Sequence, residues 1–431
     1  MTDSTLFLIS IRVPIKGEHI VDLSWPLPAH LTFTDTLYPS MKVVHIHDYV
    51  MPNMGYQENL LPPKILEEGI DIEVITSTAV PEKFKEERND FNSGIYNYKG
   101  VKYHRLNYLF KINSAGNIIM RGLLKKLNEI GPDIIQCRSL INTQAIKAAR
   151  YCKQTDCQLY IDEHVDNGNF NLDSLFKSSS FHIFKILLFK YIDEEVELYL
   201  PVQQYSKEFL VDRFGIDEDR TELLPLGVDI QLFCPNEADR DKIRSKYRFP
   251  NDHKVIITAG NIDPRKDIEV LLDALNEIES EYNWTLLIVG RPSGPRGKAY
   301  MERIKDLVSE YGLSSNVIFK DFVPHDELSM YYNAADIGVW PGKLGITTVE
   351  AIGTGLPVII PKSKATNYIV SNDNGSQFVR GDSESLKLEM EKYINSPKKI
   401  KSHSEKSVEH ARNVLSWEAI ANKNISIYNS E

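Results

Sequence analysis

The sequence predicts an α/β protein made of two facing, doubly wound Rossmann-like domains, and three observations carry that prediction. The chain has 431 residues, more than one ordinary hydrophobic core organises. From Met41 onward, short β-rich runs alternate with helical stretches, the pattern of βαβ units in a parallel sheet. After a polar stretch from Cys234 to His253 the alternation begins again.

Residues 1–40 fit neither block and are read as an N-terminal extension with no legible function. The first domain, 41–235, opens with the strand MKVVHIHDYV, a turn at Gly55 and the helical QENLLPPKILEEG, then the strand IDIEVITST. DIIQCRS, CQLYIDEH and ELYLPVQQ are its further strands. The second domain, 236–405, has strands KVIITAGN, TLLIVGR, NVIFKDF, DIGVWPG and PVIIPKS. DIEVLLDALNEIES, KAYMERIKDLVSEYG and TTVEAIGTG are helices between them. In such sheets ligands bind beyond the carboxyl ends of the strands, so the strand-to-helix loops are where chemistry belongs.

Composition narrows the function classes. The chain is 42% hydrophobic and 26% charged, as globular proteins are. Its net charge of −10 argues against a nucleic-acid partner, which needs a basic stripe. Cys137, Cys152, Cys157 and Cys234 form no CxxC pair and have no histidine at ligand spacing, so they read as isolated thiols in a reducing compartment. The opening residues lack the basic lead of a secretory signal. A cytoplasmic protein is expected.

Four loops can carry chemistry. In Gly342-Lys343-Leu344-Gly345-Ile346-Thr347-Thr348-Val349-Glu350 a glycine-punctuated turn opens a helix, whose free amides and dipole favour a diphosphate. Glu350, one turn in, suits a ribose diol; equally, Thr347-x-x-Glu350 reads as a capping box. In Asn261-Ile262-Asp263-Pro264-Arg265-Lys266, after KVIIT, Arg265 and Lys266 can neutralise a pyrophosphate leaving group or simply lie solvated in a turn. His164, after CQLYI, can hydrogen-bond a substrate hydroxyl or serve structure alone. Gly55 offers amides to a ligand across the cleft or makes a plain turn. No HxxxH or compact Asp-x-Asp pair accompanies His164, so no metal and no cofactor are expected.

Taken in order, these loops resemble the retaining nucleotide-sugar glycosyltransferases of family 4, with the GT-B fold. MKVVHIHDYVMPNMGYQE is similar to the family's opening strand and glycine loop. LPLGVDIQLFCP, AGNIDPRKDIEVLLDAL and VEAIGTGLPVI resemble its hinge, its lysine loop and its glutamate helix. The tail ARNVLSWEAIANKNISIY resembles the closing helix, which implies that 406–431 crosses back to the first domain. Two departures stand out. The family's first acid, separated by seven residues from its second, falls at Gly342, and its arginine falls at Asn261.

The resemblance implies a retaining transfer of sugar from a nucleoside diphosphate to a glycan, lipid-linked or other acceptor, without metal. Retention would follow front-face attack, with the departing phosphate taking the acceptor's proton. Lys266 and Arg265 would stabilise the leaving diphosphate, and His164 would contact the donor sugar. Glu350 would hold the ribose, with Gly345, Ile346, Thr347, Gly55 and Asn261 around the donor. Alternatives are a nucleotide-sugar epimerase and a catalytically weak nucleotide-sugar-binding subunit, the latter prompted by Gly342 and Asn261. The lack of G-x-G-x-x-G after any strand argues against an oxidoreductase. FHIFKILLFKYI, 181–192, is read as a buried helix because its lysines form no basic face, with peripheral membrane contact left open.

Overall fold

The computed structural model of the chain describes residues 8–15, 19–26, 41–52, 54–81, 84, 89–112, 117–167, 170, 175–280, 282–292, 294–371 and 373–430. Residues 1–40 form one unit and 41–431 another. Within the first unit, β1 (Leu8–Ile15) and β2 (His19–Pro26) pair antiparallel as a hairpin; the rest of the proposed extension lies outside the described residues.

The larger unit begins with β3 (Lys42–His47), β4 (Asp71–Ser77), β5 (Gly94–Tyr98) and β6 (Val101–Leu106). A small ribbon, β7 (Tyr108–Ile112) and β8 (Asn117–Met120), precedes β9 (Ile134–Arg138), β10 (Gln158–Glu163) and β11 (Val196–Pro201). The sheet order is β11-β10-β9-β3-β4-β6-β5, with every pair parallel except the β5 edge. Neither β5 to β8 nor the hairpin was expected. Gly94–Tyr98 and Val101–Leu106 mix polar with apolar residues, which leaves no continuous apolar run.

The second sheet contains β12 (Lys254–Ala259), β13 (Trp284–Val289), β14 (Val317–Lys320), β15 (Ile337–Val339), β16 (Val358–Pro361) and β17 (Gly375–Phe378), in the order β14-β13-β12-β15-β16-β17, all parallel. β12 and β13 are buried along their whole length, as strands covered on both faces must be. Without β5, both sheets follow the order of a doubly wound fold, with the strand order reversing beside the first strand. That reversal opens crevices between β3 and β9 and between β12 and β15, and the loops read from the sequence emerge there.

The last helix, Trp417–Tyr428, lies against the helix Gln57–Glu67 of the first domain. Tyr428 and Asn424 both donate to Gln136 Oε1, at 2.6 and 3.1 Å. Because the Tyr428 proton is spent there, its oxygen accepts from His45 Nε2, 2.9 Å away. Burial pushes His45 down to about 4, which keeps it neutral with its proton on Nε2. The tail is not one helix: Ser416 caps a new one after the preceding helix ends in a π turn at Ala411–Leu415.

Segment 181–192 corrects the expectation of a buried helix. A π turn at Lys185–Phe189 interrupts it. Phe181 packs on Phe170 and Phe214, but Ile183, Ile186 and Leu187 are 57, 74 and 67% exposed. At a spacing of three and four residues these aliphatics share one outward face. Among the described residues no helix is long and apolar enough to cross a membrane.

Candidate active site at the interdomain cleft

At the end of β12, the Ala259 carbonyl accepts from both Trp340 Nε1 (2.9 Å) and Thr347 Oγ1 (3.1 Å). Those bonds hang the loop after β15, and the helix Ile346–Gly353 it feeds, on the carboxyl edge of the neighbouring strand. The capping-box reading fails here. The helix is capped by Gly345, with no side-chain cap, because Thr347 is drawn to Ala259 and Glu350 points elsewhere.

Glu350 is 3% exposed. Its Oε1 accepts from His325 Nε2 at 2.7 Å, while Oε2 is buried with no hydrogen-bond partner among the described residues. A buried carboxylate oxygen left unpaired is costly, so this atom is poised for a donor from outside the chain. The hydrogen bond to Glu350 raises His325 above the ordinary histidine value, against the opposing effect of burial.

Gly345 differs from the other loop glycines. Its φ of −154° suits any residue, and a Cβ there would meet nothing within 4 Å. Neither backbone nor packing demands glycine, so the space beside the helix's first amides stays open. Gly342 is the reverse: a Cβ would stand 2.2 Å from the Arg265 carbonyl oxygen and 2.5 Å from the Lys266 carbonyl carbon. The place of the family's first acid is sealed by backbone.

Lys266 lies inside this junction. Its Nζ donates to the Lys343 carbonyl at 2.9 Å and lies 3.6 Å from where a Gly260 Cβ would stand, as does Thr347 Oγ1. Burial, with Arg265 and Lys343 nearby, pushes Lys266 down to about 8 against the pull of Asp263. Arg265, in contrast, turns back on its own loop, with Nε and NH2 both 2.9 Å from the Asp263 carboxylate. Asn261 is exposed.

Across the cleft, loops of the first domain enclose a cavity of about 570 Å³ that Gly55, Glu58, Arg138, His164 and, from the second domain, Ile346 help to line. Arg138 donates to Glu58 Oε2 at 2.9 Å and to His164 Nδ1 at 3.2 Å. Arginine only donates, so Nδ1 is unprotonated and the ring proton sits on Nε2, which is 3.1 Å from Asp162 Oδ1. Burial alone would raise Asp162, yet His164, Arg138 and His47 hold it below the usual carboxylate range. The ring of His164 is thus oriented by the Arg138 hydrogen bond, with the Asp162 carboxylate close to its other nitrogen.

Two further contacts join the domains. Lys343 Nζ donates to Asp166 Oδ2 at 2.8 Å, an atom that also accepts from Gln203. Gly55 faces His325: a Cβ would stand 2.5 Å from Cε1 of that ring. The structure therefore brings Gly345, Ile346, Thr347, Glu350 and Lys266 together at one switch point, with His164 and Gly55 opposite. His325, Arg138 and Asp166 escaped the sequence reading. His325 follows Pro324 at a helix start, and nothing local marks it as a partner of Glu350.

With this geometry in place, comparisons place the chain among known proteins. Residues 239–413 match the family described as Glycosyl transferases group 1. The D-inositol 3-phosphate glycosyltransferase of Corynebacterium efficiens is 30% identical over 227 residues, 51% of this chain and 53% of that protein. The chain spans about half the length of the curated relatives it matches. Sucrose-phosphate synthase from Thermosynechococcus elongatus superposes with a TM-score of 0.64 at 20% identity, covering 90% of this chain and 98% of that one. HepE of Anabaena, solved with UDP, gives 0.66 at 16%, covering 91% and 100%. These likenesses show the fold, the GT-B arrangement of two facing Rossmann-like domains.

Proposed function

We infer that the chain is a retaining glycosyltransferase that moves a sugar from a nucleoside diphosphate sugar to a glycan, lipid-linked or other acceptor. One observation carries this reading above the rest. The buried, unpaired Oε2 of Glu350 lies one turn inside a helix whose opening amides face open space at Gly345. A diol on the carboxylate and a diphosphate on the amides satisfy both at once. The family match over the second domain supports it, and the UDP held by HepE makes UDP the first nucleotide to try.

The chemistry asked of the chain is modest. The acceptor hydroxyl attacks C1 on the face from which the diphosphate leaves. The new C1–O bond forms as the C1–phosphate oxygen bond breaks, and that phosphate oxygen takes the acceptor's proton. Charge builds on the leaving group, where Lys266 and the helix amides compensate it without a divalent cation. Arg265 contributes only after leaving Asp263. His164, held by Arg138 and Asp162, presents a fixed ring edge to the donor sugar. The outward Ile183, Ile186 and Leu187 suit the apolar boundary of a bilayer surface and favour a lipid-linked acceptor.

The test is release of nucleoside diphosphate from UDP-, GDP- and ADP-sugars, with and without a lipid extract, for the parent chain, Glu350→Ala and Lys266→Ala. Acceptor-dependent release from one donor, with the donor's anomeric configuration kept in the product, insensitive to EDTA and lost in both variants, is expected. Conversion of the donor sugar without release would establish an epimerase instead. Donor binding without either would establish the binding subunit that the sealed Gly342 position favours.

A further inference from the structure

We propose that His325 is a positioning residue that presents Glu350 to the ribose and makes that presentation depend on closure of the cleft through Gly55. The proposal rests on the nucleotide site read above and adds to it a residue and a coupling.

The side chain of His325 is 44% exposed, and its contacts on the protein side set its orientation. It opens the helix His325–Ala334, and Phe233 meets its ring edge-on at 5.1 Å between centroids. Phe233 is itself 1% exposed, so that wall does not yield. With the ring so held, Nε2 is committed to Glu350 Oε1. One carboxylate oxygen is spent on the protein and the other is left for a donor. A carboxylate free to rotate would offer either oxygen in many directions; one pinned at Oε1 offers Oε2 in a single direction, where a hydroxyl gains most from it.

The opposite face of the ring meets the other domain. Gly55 follows β3 across the cleft, and the three atoms nearest to a Cβ there all belong to the His325 ring, at 2.5, 3.0 and 3.1 Å. The Gly55 backbone lies outside the left-handed region, so its conformation does not require glycine. What requires it is the imidazole. A methyl at this point must either push the ring off Glu350 or hold the domains apart, and either change spoils the diol site. Closure and ribose recognition thus meet in one side chain.

The measurement is calorimetric binding of UDP and 2′-deoxy-UDP to the full chain and its variants. The parent should prefer UDP by about tenfold, the scale of one hydrogen bond to a charged group, and Glu350→Gln should reduce that preference. His325→Ala should erase it; His325→Gln, which restores a donor, should recover most of it. A purely packing role for His325 would weaken both ligands equally and leave the ratio intact. Gly55→Ala should weaken UDP about tenfold in the parent and less than twofold in His325→Ala, where the obstructing ring is gone. If the parent binds none of UDP, GDP and ADP, or shows no 2′ preference for the one it binds, the nucleotide reading falls and this proposal with it. If the preference depends on Glu350 but survives His325→Ala, only the role of His325 is overturned. Equal losses from Gly55→Ala in both backgrounds overturn the coupling.

Discussion

Restoring an acid at Gly342 should damage the protein rather than improve it. A Cβ there stands 2.2 Å from Arg265 O, 2.5 Å from Lys266 C and 2.7 Å from Lys266 O. These are backbone atoms of the turn that holds Lys266, and they cannot swing aside as a side chain would. The Gly342 backbone lies outside the left-handed region, so strain is not the cause, and alanine should hurt nearly as much as glutamate. Overpacking of this kind costs about 1–3 kcal/mol. Disturbing the Lys343 N–H bond to Arg265 O, 2.7 Å long, adds about 1 kcal/mol. Taking about 3 kcal/mol and a urea slope of about 2 kcal/mol per molar, the midpoint should drop by about 1.5 M. Urea titration followed by tryptophan fluorescence, with donor turnover in parallel, measures both effects. Gly342→Ala unfolding within about 0.2 M of the parent, together with higher turnover in Gly342→Glu, would refute the reasoning and make the glycine a simple loss.

Three other outcomes are expected. Lys266 sits at about 8 in the folded chain, below its ordinary 10.5, so the unfolded chain binds the extra proton between those values and stability should rise with pH across them. UDP affinity should move the opposite way, falling about tenfold from pH 7 to 9 as the ammonium is lost; calorimetry on the parent and on Lys266→Met, which should be flat, checks the sign. Tyr428→Phe strips Gln136 of one donor and leaves the buried His45 N–H without its acceptor, which should cost about 1–3 kcal/mol in chemical unfolding. Ile186→Asp with Leu187→Asp should abolish cosedimentation with anionic vesicles while leaving UDP affinity unchanged; retention on vesicles would assign that face elsewhere.

Much of the fold is legible in the order of the residues. Buried parallel strands such as Lys254–Ala259 and Trp284–Val289 are continuous apolar runs, and their period and length announce them in one dimension. Glycine loops at strand ends announce the switch points for the same reason, since the chain must turn sharply there. Of the strands that read poorly, Gly94–Tyr98 is a largely exposed sheet edge, while Val101–Leu106 beside it buries the polar His104 and Arg105, so neither shows an apolar run.

What escaped depends on partners far apart in the chain. Thr347-x-x-Glu350 has the letters of a capping box, but Ala259 takes the threonine hydroxyl and His325 takes the carboxylate. Arg265 carries the charge of a phosphate ligand, but Asp263 claims it two residues away. Gly342 and Gly55 look like flexible turns; their meaning is the Lys266 turn and the His325 ring pressed against them. Local spacing sets which strands and helices form, because those depend on periodic burial. Which polar groups are spent and which are left for a ligand is settled only when the two sheets bring their loops edge to edge, since hydrogen bonds and close contacts act over a few ångströms in space whatever the separation in sequence.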